Sequence, residues 1–187
     1  MDEKDLFIEK LSASRQNIIE SAKDSGNWLK DKIQKLKNPF RVFNQAANPT
    51  IGQMYMFSYD PKYKKVLPYY DAYPLVFPIE FYSDGFLGIN LHYLPPAARA
   101  SLLSNLKKLT TDDKYNEKTK LNISYEVLKL YSRQFAGVEN CIKRYLYSHV
   151  RSQFHQVSAE DWDKTIMLPL QRWVVNSDKR YAKSPPY

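Results

Sequence analysis

A chain of 187 residues with 43% hydrophobic and 26% charged side chains lies near the globular average, long enough for one compact domain with an appendage or two small lobes. That composition excludes wholesale disorder. One cysteine excludes an intramolecular disulfide or a cysteine-rich zinc site, and no apolar run approaches the roughly 20 residues that span a bilayer. The net charge of +8 is unevenly spread: residues 1–50 carry nine basic and seven acidic side chains, residues 51–95 three and four, and residues 96–187 sixteen and nine. An excess in the C-terminal part favours nucleic acid or another polyanion, although a soluble, lysine-rich surface reads the same way. Tyrosine is over-used, with 15 Tyr against 9 Phe and 3 Trp, which is common where a surface is half buried against a partner.

Residues 2 to about 37 read as an amphipathic helix. Leu11, Ile18, Ala22, Leu29, Ile33 and Leu36 recur at steps of three, four and seven and draw a narrow apolar stripe. Acidic Asp2, Glu3 and Asp5 at its start and Lys30, Lys32, Lys35 and Lys37 toward its end match the helix dipole. Ser25-Gly26-Asn27 interrupts the pattern, and Pro39 ends it. The stripe suits packing on the rest of the chain or on another subunit. The opening MDEKDLFIEK is acidic and lacks the basic and apolar regions of a signal peptide, so a reducing cytoplasm is the expected setting.

After a connector, residues 38–50, the block from Pro49 to Pro95 alternates like a sheet. Gln53, Tyr55, Phe57 and Tyr59 fall on one side, and Met54, Met56 and Ser58 on the other. Runs from Leu75 to Tyr82 and from Phe86 to Tyr93 are joined by Ser83-Asp84-Gly85, where Gly85 is expected to supply a positive φ. Pro78 lacks an N–H, which places its strand at an edge or at a bulge. Asp60-Pro61-Lys62 is a turn, and Lys62, Lys64 and Lys65 put three charges beside Tyr63, Tyr69 and Tyr70.

Pro95-Pro96 opens a helix with Leu102, Leu103, Leu106 and Leu109 inward and Arg99, Lys107 and Lys108 outward. A polar loop spans residues 110–120, and a further helix runs from Ser124 to about Phe135, with Val127, Leu128 and Tyr131 on one side. Val138 to Phe154 also reads as a helix, with Val138, Ile142, Tyr145, Leu146 and Val150 inward. Lys143, Arg144, Tyr147, Arg151 and His155 fall on a neighbouring arc. Ser158 to Asp161 reads as a capping box before Trp162 and Ile166, and the tail 176–187 as loose. The division expected is an N-terminal helix and connector (1–48), a small sheet (49–95), a helical lobe (96–175) and the tail.

Catalytic signatures are missing. There is no Gly-rich phosphate loop, no GxSxG and no zinc motif, and His92, His149 and His155 are scattered. His92 reads as an ordinary strand histidine or a general base, and Cys141 as a buried thiol or a nucleophile. Asp60 and Asp71 are expected to bond their own backbone two residues on. The basic features are better candidates. Lys143, Arg144, Tyr147 and Arg151, at i, i+1, i+4 and i+8, form a face suited to phosphates and stacking, with Lys62, Lys64 and Lys65 as a second patch. Lys107 and Lys108 add to the basic surface. No metal site and no cofactor are expected.

At GQMYMFSYDPK, LPYYDAYPLVFPIE, DGFLGINLHYLP, CIKRYLYSHVRSQF and EDWDKTIMLPLQRW, the chain resembles a family of small proteins of contractile-tailed bacteriophages, marine and cyanobacterial ones included. The resemblance runs from about Ile51 to Trp173 and implies a DNA end protector or a virion protein of the head–tail region. Duplex DNA, bound without sequence preference, and other virion subunits are the partners it implies. It implies no membrane partner and a location in the host cytoplasm during assembly, with presence in the virion left open. The expected fold is α+β: a small SH3-like β-barrel or curled antiparallel sheet followed by a helical lobe, with an N-terminal amphipathic helix. Three functions stay open: binding DNA ends without catalysis, a purely structural adaptor, and a small metal-dependent nuclease. The adaptor would dock through Tyr69, Tyr70 and the stripe of Leu11, Ile18, Leu29 and Ile33.

Overall fold

The computed structural model describes residues 3–37, 45–46, 48–65, 70–94, 96–110, 116, 126–128 and 141–168. Helix α1, Glu3–Lys37, is a single element, so Ser25-Gly26-Asn27 does not split it. Strands β1 (Gln45–Ala46), β2 (Met54–Met56), β3 (Leu75–Tyr82) and β4 (Gly85–Asn90) follow, then a 3-10 turn at Leu91–Tyr93 and helix α2, Pro96–Thr110. Residues 126–128 are helical, within the helix expected from Ser124, whereas Tyr131 lies outside the described residues. Strands β5 (Ile142–Leu146) and β6 (Phe154–Val157) and the short helix α3 (Asp163–Ile166) complete the order.

The helix expected from Val138 to Phe154 is therefore corrected: its described part is β5, a 3-10 turn at Tyr147–His149, and the start of β6. Apolar residues at 142, 145, 146 and 150 satisfy a helical period, but β4 offers an open row of main-chain groups along Gly85–Ile89. Pairing with β5 satisfies them, from Gly85↔Leu146 to Ile89↔Ile142. All pairs are antiparallel, in the order β1-β6-β2-β3-β4-β5. The sheet curls without closing into a barrel, with β1 and β5 as its edges. The curl draws the chain after β2 to the segment after β5: Tyr59 bridges Val150, and the Asp60 N–H donates to the His149 carbonyl at 3.0 Å.

Period-two alternation sorts the side chains to two faces. Met54, Met56, Leu75, Phe77 and Ile89 pack with Leu102, Leu103 and Leu106 of α2, Leu29 of α1, Leu128 and Trp162. On the other face Tyr55, Phe57, Tyr59, Val76, Phe86, Tyr145 and Phe154 form an aromatic cluster. Phe57 meets Phe154 and Tyr145 edge-on at 5.0 and 5.3 Å, the geometry ring quadrupoles favour. Pro78 marks a register shift between Pro78 and Glu80, as its missing N–H requires.

One glycine behaves differently from expectation. Gly52 is the described glycine with positive φ, at 82°; Gly85 does not adopt one. Gly85 is needed for close approach instead, since a Cβ there would collide with the Tyr145 carbonyl oxygen. Ser158 precedes its turn in extended backbone but makes no side-chain cap, so the capping box does not form.

A candidate nucleic-acid interface

The turn after β2 and strand β5 are more than 75 residues apart in sequence, and the curl brings them together. Between them opens a cleft of about 320 Å³. Five tyrosines line it: Tyr59, Tyr63, Tyr70, Tyr93 and Tyr145. Lys62, Lys143 and Arg144 supply the positive charge, and Asp71, Pro61 and Leu146 complete the wall.

Each cation is held by an aromatic ring or a carboxylate. Lys143 Nζ lies 4.5 Å from the Tyr93 ring centre and the Arg144 guanidinium 4.6 Å from that of Tyr82, within cation–π range. Arg144 also donates to Asp84 at 2.7 Å. Lys62 lies over Tyr63 at 5.3 Å. Beside the cleft, Asp60 pairs with Lys64 at 2.7 Å and stands 3.7 Å from Arg151. The Lys64 hydrogen bond holds the Asp60 carboxyl below its usual range, and Asp60 in turn raises Lys64. Partial burial lowers the Lys143 ammonium, a shift that an anion beside it would oppose. Arg144 and Arg151 keep about half their side-chain surface in water. Exposed pairs of this kind are worth about 0–1 kcal/mol, so an incoming phosphate can displace the carboxylates at little cost.

The floor is a buried polar network. Asp71 accepts from the Tyr73 N–H at 3.0 Å, the bond expected two residues on, and from Asn90 at 3.0 Å. Its Oδ2 lies 2.6 Å from Nδ1 of His92, and Asn90 also donates to the Tyr145 hydroxyl. Burial works to raise the Asp71 carboxyl, but the charge and hydrogen bond of His92, with Asn90 and Tyr73, hold it below its usual range. Burial keeps the Tyr145 phenol protonated, well above its ordinary value. His92 is thus paired to Asp71, away from the cleft lining. Asp60, expected to cap its own turn, pairs with Lys64 instead. Cys141 is buried and free, its thiol pushed up to about 11, first by burial, which makes it unreactive.

Of the expected nucleic-acid residues, Lys62, Lys143 and Arg144 line the cleft, and Lys64 and Arg151 flank it at Asp60. Lys65 is exposed in the same turn. Tyr147 packs against Phe86 at 6.0 Å, in the aromatic cluster. Their juxtaposition comes from a strand and a turn, and the helical face drawn for Lys143, Arg144, Tyr147 and Arg151 does not exist. Lys107 and Lys108 lie elsewhere, on α2, where Lys107 pairs with Asp163 of α3. Arg99, expected outward, is fully buried. Tyr70 lines the cleft, while Tyr69, the Leu11 side chain and the Leu109 side chain lie outside the described residues. Leu29 and Ile33 pack within the chain's own core, and Ile18 is 55% exposed. Tyr59, Tyr93 and Tyr145 were missed as lining residues because their neighbours across the cleft are distant in sequence. Among the described residues no cluster of His, Cys, Asp and Glu could hold a metal ion, and no helix is long and apolar enough to cross a membrane.

Fold and site together define an α+β protein whose curled sheet carries a cationic, tyrosine-lined cleft. Residues 7–185 match the model of the phage T4 terminal DNA protecting protein family, and the chain belongs to that family. None of the curated proteins and none of the solved structures matches it.

Proposed function

We propose that this protein binds the ends of linear phage DNA without catalysis, gripping phosphates through Lys62, Lys64, Lys65, Lys143, Arg144 and Arg151. The observation that carries the reading is the convergence of two basic segments on one aromatic cleft, in a chain of a DNA-protecting family. Phosphate contacts position a protein without reading sequence, so binding is expected to tolerate any end. Affinity for a blunt duplex falls steeply with salt, by about 0.9 log unit per log unit of salt for each phosphate contacted. Neutralising all six cations to Gln lowers that slope by several units, while Lys107→Gln with Lys108→Gln changes it by about one or less. An unchanged slope in the sixfold variant would sink the proposal. Linear DNA incubated with the protein and Mg²⁺ or Mn²⁺ stays uncut; cleavage would replace protection with a nuclease activity.

A second reading rests on α1. Ile18 and Ile19 are 55% and 52% exposed, in the part of α1 before Leu29. On this reading the face carrying Ile18 and Ile19 docks on another virion subunit. Deleting residues 1–24 then blocks incorporation into particles and leaves DNA binding intact, as pull-down from assembling particles would report.

A further inference from the structure

Phosphate contacts alone leave the cleft itself unexplained. Duplex backbone is gripped at a surface, whereas a hollow of about 320 Å³ sits at the small end of ligand cavities, roughly 300–1,000 Å³, and admits no base-pair stack. Its chemistry is graded from mouth to floor. Lys62, Tyr63 and Arg144 at the mouth are exposed, while Tyr59, Tyr145 and Asp71 are buried. At the floor the Tyr145 hydroxyl accepts from Asn90 and so keeps its own proton to donate to a polar edge. A ligand matching that gradient has an anionic end, a flat π-faced body and a hydrogen-bonding edge, in that order. A nucleoside monophosphate unit has those three parts.

We infer that the cleft seats one unpaired deoxynucleotide at a DNA terminus, its base among the tyrosines and its phosphate against Lys62 and Arg144. The inference rests on the end-binding reading above and adds which part of the end is held, a single nucleotide inside the cleft. An internal base must leave both its stack and its partner to enter such a pocket, while a frayed or overhanging terminal base gives up much less. Stacking on aromatic rings accepts every base, so the end is recognised and its sequence is not.

The test uses the full chain and two duplexes of equal length, one with open ends carrying a single-nucleotide overhang, the other closed at both ends by hairpin loops. Fluorescence anisotropy should show at least tenfold tighter binding to the open duplex. Tyr63→Ala with Tyr70→Ala, neither residue being buried, should erase that preference by lowering affinity for the open duplex to that for the closed one, with an unchanged melting temperature. Millimolar dAMP should displace the open duplex preferentially. A preference for the open duplex that survives Tyr63→Ala with Tyr70→Ala overturns the inference while the end-binding reading stands; equal affinity of the wild type for both duplexes overturns both. Failure to bind either duplex overturns both. Tight dAMP binding combined with indifference to ends assigns the cleft to a free nucleotide and also overturns the inference.

Discussion

Arg99 shows how much a single side chain can hold together. It is fully buried, and its guanidinium donates to four carbonyls: Leu91 at 2.7 Å, His92 at 3.4 Å, Ile166 at 3.2 Å and Leu168 at 2.5 Å. Those carbonyls belong to the turn before α2, to the end of α3 and to the segment just after it, so one planar fork ties them to the helix that carries it. Arg99→Lys keeps the charge but cannot reach four acceptors, and we expect it to cost about 2–4 kcal/mol in urea unfolding. The outward placement expected for Arg99 fails because a charged residue after Pro-Pro reads as exposed, and nothing local announces four waiting carbonyls. Acid stability is set at the same scale. Asp71 is held low by His92 against its burial, and Asp161, also partly buried, is pulled down to about 2 by hydrogen bonds from Lys164 and Lys32. Both carboxyls bind a proton more weakly folded than unfolded, so their stabilisation is present above about pH 3.8 and is lost as pH falls through the folded values. Melting temperature should therefore drop between pH 4 and 2, and Asp161→Asn should flatten that slope in calorimetry.

Among the elements, α1 is divided along its length. Leu29 is 7% exposed, and Ile33 and Leu36 pack against the main core, while Ile18 and Ile19 stand in water. Leu29→Ala should cost about 2–4 kcal/mol through lost burial and the cavity left behind, whereas Ile18→Ser should stay within about 0.5 kcal/mol, as denaturant midpoints would report. The stripe was legible as a period of three, four and seven; its division was not, because a stripe does not say where its partner ends. Gly85 sets the junction of β4 and β5. Any Cβ there meets the Tyr145 carbonyl, so Gly85→Ala should push β5 away at Gly85↔Leu146. We expect a loss of about 1–3 kcal/mol together with weaker DNA binding, since Lys143 and Arg144 ride on β5; full affinity in this variant would separate the interface from the strand. The glycine was legible as a turn residue, but the reason for it lies in a carbonyl sixty residues away.

Across the whole molecule, charge and aromatic surface meet where the sheet curls. The ion pairs at Arg144 and Arg151 lie at the surface and not in the core, which leaves both cations available to a polyanion. By itself the sequence determined the amphipathic first helix, the hairpin of β3 and β4, the two-faced β2 and the irregularity at Pro78, edge or bulge, since each follows from local period, turn chemistry or a missing N–H. It also supplied the family resemblance and the basic segments to watch. Only the tertiary structure decided that 142–146 and 154–157 are strands, that Pro78 sits at a bulge and not at an edge, that Arg99 turns inward, and that Lys62 shares a tyrosine-lined hollow with Lys143 and Arg144. Those outcomes depend on main-chain groups seeking partners across the sheet, and a period of apolar residues carries no record of which distant edge stands open.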